Sequence, residues 1–462
     1  MTTWPLLAYL AAVPWALLAV PGNVHDLNRM VQVVVMAAMA VLLIHRRSAS
    51  APSRVPPLGW LALGLAAASV AASAVPAEAL KEALLLGGLL LLGLASGRAA
   101  SADRDRWLAA VAIGSAVYAG LLVGGIVLAL AVGLPLDARD IVVGFVNYRF
   151  LSHTQTVAMP LLAVTVVLAH RWPLVRTLAA FALVVQAMFI PALGARATGL
   201  ALLSGMGVVA LLGPASARRV VGTLAAAMLG GAALYAIVFS ALPNWVGVAA
   251  DATTQRSAAS LSSDGSRAML WRLAWEQAWS APWLGQGPMH YAHVPNAKAA
   301  HPHNMYLQVA AEWGFPMLMI ALTTAGGLLR RLAKRLRSER QPAASAEGAA
   351  LAIAACAVLV DGAFSGNFVM PVPQMWVALG LGWAWAWATH QPSPAGPPAA
   401  EGPPASGRWA RAVWVGVLVG QLLLAGIAAM EYATLDERLR RVRTELADNP
   451  RDNPRFWSHG WF

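Results

Sequence analysis

Apolar residues in this chain fall in long blocks. The stretches 31–44, 58–75, 83–94 and 107–132 hold no charged residue. A helix needs roughly 20 apolar residues to cross a hydrocarbon core, and only helices or closed barrels satisfy their backbone there. The blocks are rich in Ala and Leu and lack period-two alternation, which predicts helices. About twelve or thirteen spans of about 20 residues follow. Their cores lie near 4–20, 28–44, 58–75, 80–97, 107–132, 155–170, 177–194, 198–213, 220–241, 305–329, 347–365, 373–389 and 412–430. The expected fold class is an all-α polytopic membrane protein with one large loop carrying amphipathic helices.

Composition agrees: 58% of the 462 residues are hydrophobic and 12% charged, against about 25% charged in soluble domains. The net charge of +12 would point to nucleic acid in a soluble protein. Here the charge sits in short loops and reads as membrane anchoring, with no nucleic-acid partner. His45-Arg46-Arg47 with Arg54, Arg98 with Arg104 and Arg106, Arg171 with Arg176, Arg218-Arg219, and Arg330-Arg331 with Lys334-Arg335 fall in alternate loops. By the positive-inside rule those loops and the N-terminus are cytoplasmic. The opposite loops, 21–27, 76–79, 133–154, 195–197, 242–304 and 366–372, are then periplasmic, and the protein is a multi-pass protein of a bacterial inner membrane. The block 5–20 lacks a basic region before it and reads as a first span rather than a cleavable signal. The single cysteine, Cys356, excludes a disulfide framework and a multi-cysteine metal site.

The chain divides into an N-terminal transmembrane bundle over 1–241, a large periplasmic loop over 242–304 and C-terminal transmembrane helices over 305–390. A Pro-, Ala- and Gly-rich cytoplasmic linker over 391–411 precedes a possible last span over 412–430 and a charged tail over 431–462. If 412–430 crosses, the tail is periplasmic. A long connection inside a compact helical protein is usually functional.

Four polar clusters fall on the face opposite the basic loops. The first is Gly194-Ala195-Arg196-Ala197-Thr198-Gly199, an arginine at a tight turn. It either snorkels to the interface or faces a polar cavity. In the second, Asp264-Gly265-Ser266-Arg267 opens an amphipathic helix whose apolar face is Leu270, Trp271, Ala274, Trp275 and Ala278. Arg272 with Glu276 reads as an i,i+4 surface pair, whereas Arg267 lies at the helix start, where backbone N–H groups favour anions. The third is His301-Pro302-His303-Asn304 at the head of a span. One histidine there is a general base, a charge partner for a phosphate, or an interfacial residue touching lipid headgroups. A zinc site would need His290 or His293 as well, and the spacing is not a familiar zinc pattern. The fourth, 144–155, offers Asn147, Arg149, His153 and Gln155, groups that suit sugar hydroxyls and phosphate.

The second and third clusters give the chain its resemblance to the O-antigen ligase-related membrane glycosyltransferases. This family includes lipopolysaccharide O-antigen ligases, O-antigen polymerases and pilin O-oligosaccharyltransferases. Its ligases show His, a polar residue, nine further residues, then Gly and a second small residue. Here His303-Asn304 is followed by nine residues and Gly314, while Met317 departs from the small residue expected there. Arg196 at a turn, Arg267 in the large loop, and Pro282-Trp283-Leu284-Gly285-Gln286-Gly287 before the histidine are similar to family features. The resemblance covers about 140–320 by motif and implies glycan transfer from undecaprenyl diphosphate at the periplasmic face, inverting, without metal or cofactor. It implies Arg196 and Arg267 as diphosphate ligands and His303 as base or acceptor-orienting residue. Arg149, Arg272, His301 and Asn304 rank behind them as substrate contacts. The expected acceptor is lipid A–core oligosaccharide, with a pilin-like protein or a second lipid-linked glycan as rivals. A transporter would show charged or broken helices at mid-membrane in repeated halves, and no such repeat is visible.

Overall fold

A computed structural model describes Tyr9 and residues 23–45, 56–248, 265–294, 296, 299–389, 407–437, 440 and 454–460. The predicted span 4–20, Asp264, and most of the linker and tail lie outside the described residues. The described chain is all-helical. Its helices are α1 Val24–His45, α2 Pro57–Ala72, α3 Pro76–Ala102, α4 Arg104–Ala131, α5 Arg149–Leu168, α6 Pro173–Ala192 and α7 Arg196–Leu212. α8, Ala215–Tyr235, runs on through a π-helical turn at Ala236–Ala241. Then follow α9 Gly265–Ser280, α10 Met305–Ser338, α11 Pro342–Gly362, α12 Pro371–Thr389 and α13 Gly407–Tyr432. Among the described residues nine helices are long and apolar enough to cross a membrane, and α2 and α7 are shorter apolar helices. The protein is a multi-pass membrane protein.

Proline sets several helix starts. Pro57, Pro76, Pro173 and Pro342 occupy first-turn positions, where the missing N–H would have no partner anyway. α5, α11 and α12 form the middle of the bundle and are almost wholly buried. Small residues let the inner helices touch. α3 meets α12 where Gly93 and Gly97 face Gly382, and a Cβ on Gly382 would strike the Gly93 carbonyl. α7 meets α11 at Gly205, against the Ile353 backbone. In lipid, where helix association gains little from the hydrophobic effect, such close backbone approach supplies the packing.

The basic residues 98, 104, 106, 171, 176, 218, 219, 330, 331, 334 and 335 mark one end of the bundle. The other end gathers the starts of α1, α3, α5, α7, α10 and α12. It is tied across by Asn28 to Gly144, Ser69 to Glu312 and Thr198 to Asp361.

At that end α10 is not the unbroken span expected over 305–329. Gly314 has φ 84° and ψ 165°, which separates a short segment, 305–313, from the long helix after it. Pro316 has no N–H for the Glu312 carbonyl. That carbonyl accepts instead from Gly287 N at 3.1 Å and Ser69 Oγ at 3.2 Å. Gln286 N donates to Ala311 O at 2.8 Å and Phe315 N to Pro282 O at 2.9 Å. The stretch 282–287 therefore bridges the break, and Gly285 and Gly314 lie against it so closely that neither accommodates a side chain.

Substituting Gly382→Leu would force α3 and α12 apart. Overpacking of this kind costs about 1–3 kcal/mol or more. The variant is expected to unfold at lower temperature than the wild type in detergent, measured by thermal denaturation, or to fail to accumulate.

Candidate active site

Three helices start at one cavity. α5 begins with Arg149, α7 begins with Arg196, and Arg267 lies in the first turn of α9. The cavity measures about 530 Å³, and these arginines line it with His153, His301 and His303. Helix starts present unpaired N–H groups and the positive end of the helix dipole. Among the described residues no Asp or Glu lines the cavity, so its lining favours an anion.

The local sequence explains each placement. α6 and α7 are joined by a three-residue turn, 193–195, which Gly194 closes with φ 61°. The turn leaves Arg196 exposed at the cavity rim. His303 is one of two described non-glycine residues with positive φ, at 53°, a conformation costing about 1 kcal/mol. Its N–H donates to His301 Nδ1 at 3.3 Å, and the two ring centroids are 4.1 Å apart. Gly366 makes room for the His301 ring, since a side chain there would run into it. Because His301 Nδ1 accepts a hydrogen bond, its proton belongs on Nε2 and the ring is neutral. Burial holds His301 well below the usual imidazole range, and the positive charge of Arg455 acts in the same direction. Burial likewise lowers His303 to about 3, with Arg267, His153 and Arg149 acting in the same direction. Both rings are therefore neutral near pH 7, and a neutral imidazole can accept a proton.

Behind the lining sits a buried carboxylate. Asp361 in α11 is fully buried, and its Oδ2 is 3.1 Å from His153 Nδ1. Ser365 Oγ donates to Oδ2 at 2.6 Å and Thr198 Oγ1 to Oδ1 at 3.3 Å. Ser365 and Thr198 line the cavity themselves, so this network fixes part of its wall.

Asn147 and His153 of the fourth cluster line one cavity with five of the seven residues ranked as site residues, Arg149, Arg196, Arg267, His301 and His303. Two do not line it. Asn304 caps α10, its Oδ1 accepting from Tyr306 N at 3.0 Å and Leu307 N at 3.1 Å. Arg272 is exposed on α9. The apolar face of α9 also differs from expectation. Leu270, Ala274, Gln277 and Ala278 are buried, a narrow stripe at helical spacing. Trp275 falls at its edge, exposed and set edge-on to Phe315 and Trp279. Asp361 lies inside an apolar block, where a lone acid in a span is itself a functional signal. Among the described residues no group of three or more His, Cys, Asp or Glu is placed to hold a metal ion.

This is a multi-pass membrane protein with a cationic cavity at one end of its bundle. Residues 180–322, which hold Arg196, Arg267, His303 and the α10 break, match the O-antigen ligase family. A match to that family implies, in broad terms, a membrane glycosyltransferase or ligase that handles lipid-linked glycans. Comparisons with curated proteins and with solved structures returned no match.

The two neutral histidines couple stability to pH. Unfolded, they titrate near 6.5; folded, His303 titrates near 3. Below about 6.5 the unfolded chain binds more protons, so stability present above that value is lost as pH falls towards 3. Thermal denaturation from pH 7.5 to 4 should show this loss, with a shallower slope in His303→Gln. Equal slopes would contradict the assignment.

Proposed function

We propose that the protein transfers a glycan from undecaprenyl diphosphate to lipid A–core oligosaccharide at the periplasmic face of a bacterial inner membrane. What supports this reading is one cavity ringed by Arg149, Arg196 and Arg267, with neutral His303 among them and no lining carboxylate among the described residues. A diphosphate is an anion, and arginine guanidinium groups suit phosphate oxygens. In the reaction an acceptor hydroxyl oxygen bonds to the anomeric carbon. The bond from that carbon to the diphosphate oxygen breaks, and its electron pair leaves with the diphosphate. Arg196 and Arg267 stabilise the charge that develops on the leaving group, and His303 takes the hydroxyl proton. Attack opposite the leaving group inverts the anomeric carbon. No step calls for a metal or cofactor.

A second reading, transfer to a hydroxyl of a pilin-like protein, draws on one observation. Residues 454–460, beyond α13, are bound at the cavity end of the bundle. This agrees with a last span that crosses, which gives an odd span count when 4–20 is included. A lipopolysaccharide ligase with an even count would carry its tail at the opposite end.

The purified protein, given undecaprenyl-diphosphate-linked glycan and acceptor, should lose transfer in His303→Ala while still inserting in membranes. Removing one charge-stabilising donor from such a site costs about 10²–10³ in rate, so Arg196→Ala and Arg267→Ala should fall by that factor. EDTA should leave the wild-type rate unchanged. Near-normal turnover by His303→Ala would exclude it as the base. A deletion strain separates the acceptors: loss of core-attached O-antigen supports the ligase, and normal lipopolysaccharide with unglycosylated pilin supports the second reading.

A further inference from the structure

The C-terminal segment 454–460 is buried at the cavity end, and nothing in the transfer chemistry accounts for it. Pro454 lines the cavity. Arg455 is 1% exposed. Its Nη2 lies 2.7 Å from Glu312 Oε2 and 3.5 Å from Glu82 Oε1. The Arg455 carbonyl accepts from Arg29 Nη2 at 3.1 Å, and the Phe456 carbonyl from Arg29 Nε at 3.1 Å. Arg29 Cζ and Lys81 Nζ lie 5.0 and 4.9 Å from the centre of the Phe456 ring. Trp457 Nε1 donates to Glu431 at 2.8 Å, and Ser458 N and Oγ donate to Asp26 at 2.7 and 2.8 Å. Seven residues thus clasp α1, α3, α10 and the end of α13.

Glu312 is the point of contact that matters for the site. Its side chain accepts from Tyr291 N at 3.3 Å, and its carbonyl accepts from Gly287 N across the α10 break. Tyr291 Oη in turn donates to Leu270 O of α9 at 3.1 Å. The α9 start, which bears Arg267, and the α10 start, which follows His303, are therefore joined through Glu312. A buried ion pair is an expensive way to gain stability, because apolar residues of similar size usually serve as well. Its better-attested use is to fix one arrangement of the groups around it.

We propose that Arg455 is a positioning residue for transfer: by binding Glu312 it fixes Arg267 and His303 relative to one another, and its segment closes one wall of the cavity. The proposal deepens the transfer reading and rests on it for its kinetic arm alone. Arg455 touches no reacting atom, and its effect passes through Glu312.

Full-length protein in lipid nanodiscs tests this with Arg455→Met, Arg455→Lys and the double variant Arg455→Met/Glu312→Gln. Transfer rate, thermal midpoint and backbone hydrogen exchange over 286–293 and 300–306 are measured together. A misplacement of about 1 Å lowers an enzymatic rate by about 10²-fold. Arg455→Met should therefore lose at least tenfold in kcat and exchange faster over both stretches, with exchange in α11 unchanged. The double variant no longer buries Glu312 as an unpaired carboxylate, although Glu82 still loses its arginine, so its midpoint should recover in part while rate and exchange protection do not. Arg455→Lys keeps the charge without the planar fork. It should fold with a near-native midpoint and still lose rate severalfold, so it carries the test if Arg455→Met does not accumulate. Recovery of rate together with midpoint in the double variant would mean a merely structural role and overturn the proposal. Wild-type rate and exchange in Arg455→Lys would do the same. If the wild type transfers glycan to no acceptor while Arg455→Met still loosens 286–293 and 300–306, the transfer reading falls and the positioning role stands.

Discussion

The break in α10 is the constraint on which the rest of the site depends. In a membrane every backbone polar group needs a protein partner, and Gly314 with Pro316 leaves several without their helical ones. The stretch 282–287 supplies those partners. The same connection fixes the path of the large loop, because residues that bridge the break cannot move independently of it. The segment carrying His301 and His303 enters α10 just before the break, and α9 leads from Arg267 into 282–287. One irregularity therefore determines where two helix starts and one histidine turn come to rest.

The electrostatics follow from that placement. Three arginines belong to three different helix starts, and helix starts already bear partial positive charge. Concentrating positive charge is unfavourable in isolation. It becomes favourable when an anion enters, and the low-dielectric surroundings strengthen that attraction. The same positive field and the burial of the rings keep His301 and His303 neutral. Anion binding and proton acceptance therefore arise from one arrangement rather than from separate devices.

Most of the architecture was legible in the sequence, because a span must be long and apolar whatever its neighbours. Each predicted span within the described residues coincides with a helix, and the alternation of basic loops identifies the two ends. The five cavity residues were legible for a related reason: polar groups at span ends, on the face with little positive charge, stand out against an apolar background. The helix break was not. Gly314 and Pro316 were visible, but a continuous apolar stretch conceals where its backbone partners change. Asn304 shows a polar residue beside a histidine serving as a helix cap, a use that the local sequence pattern does not separate from a substrate contact. The role of 454–460 lies furthest from sequence, because Arg455 meets Glu312 across more than a hundred residues and no local pattern announces the pairing.

The central claim is that the cationic cavity holds the diphosphate of a lipid-linked donor. Its most direct test is equilibrium binding of undecaprenyl diphosphate to purified protein, wild type against the Arg196→Ala/Arg267→Ala double variant. Each charge-assisted contact is worth about 1.5–3 kcal/mol, so the account predicts affinity weakened by about a hundredfold or more. Equal affinity in the two proteins would contradict it.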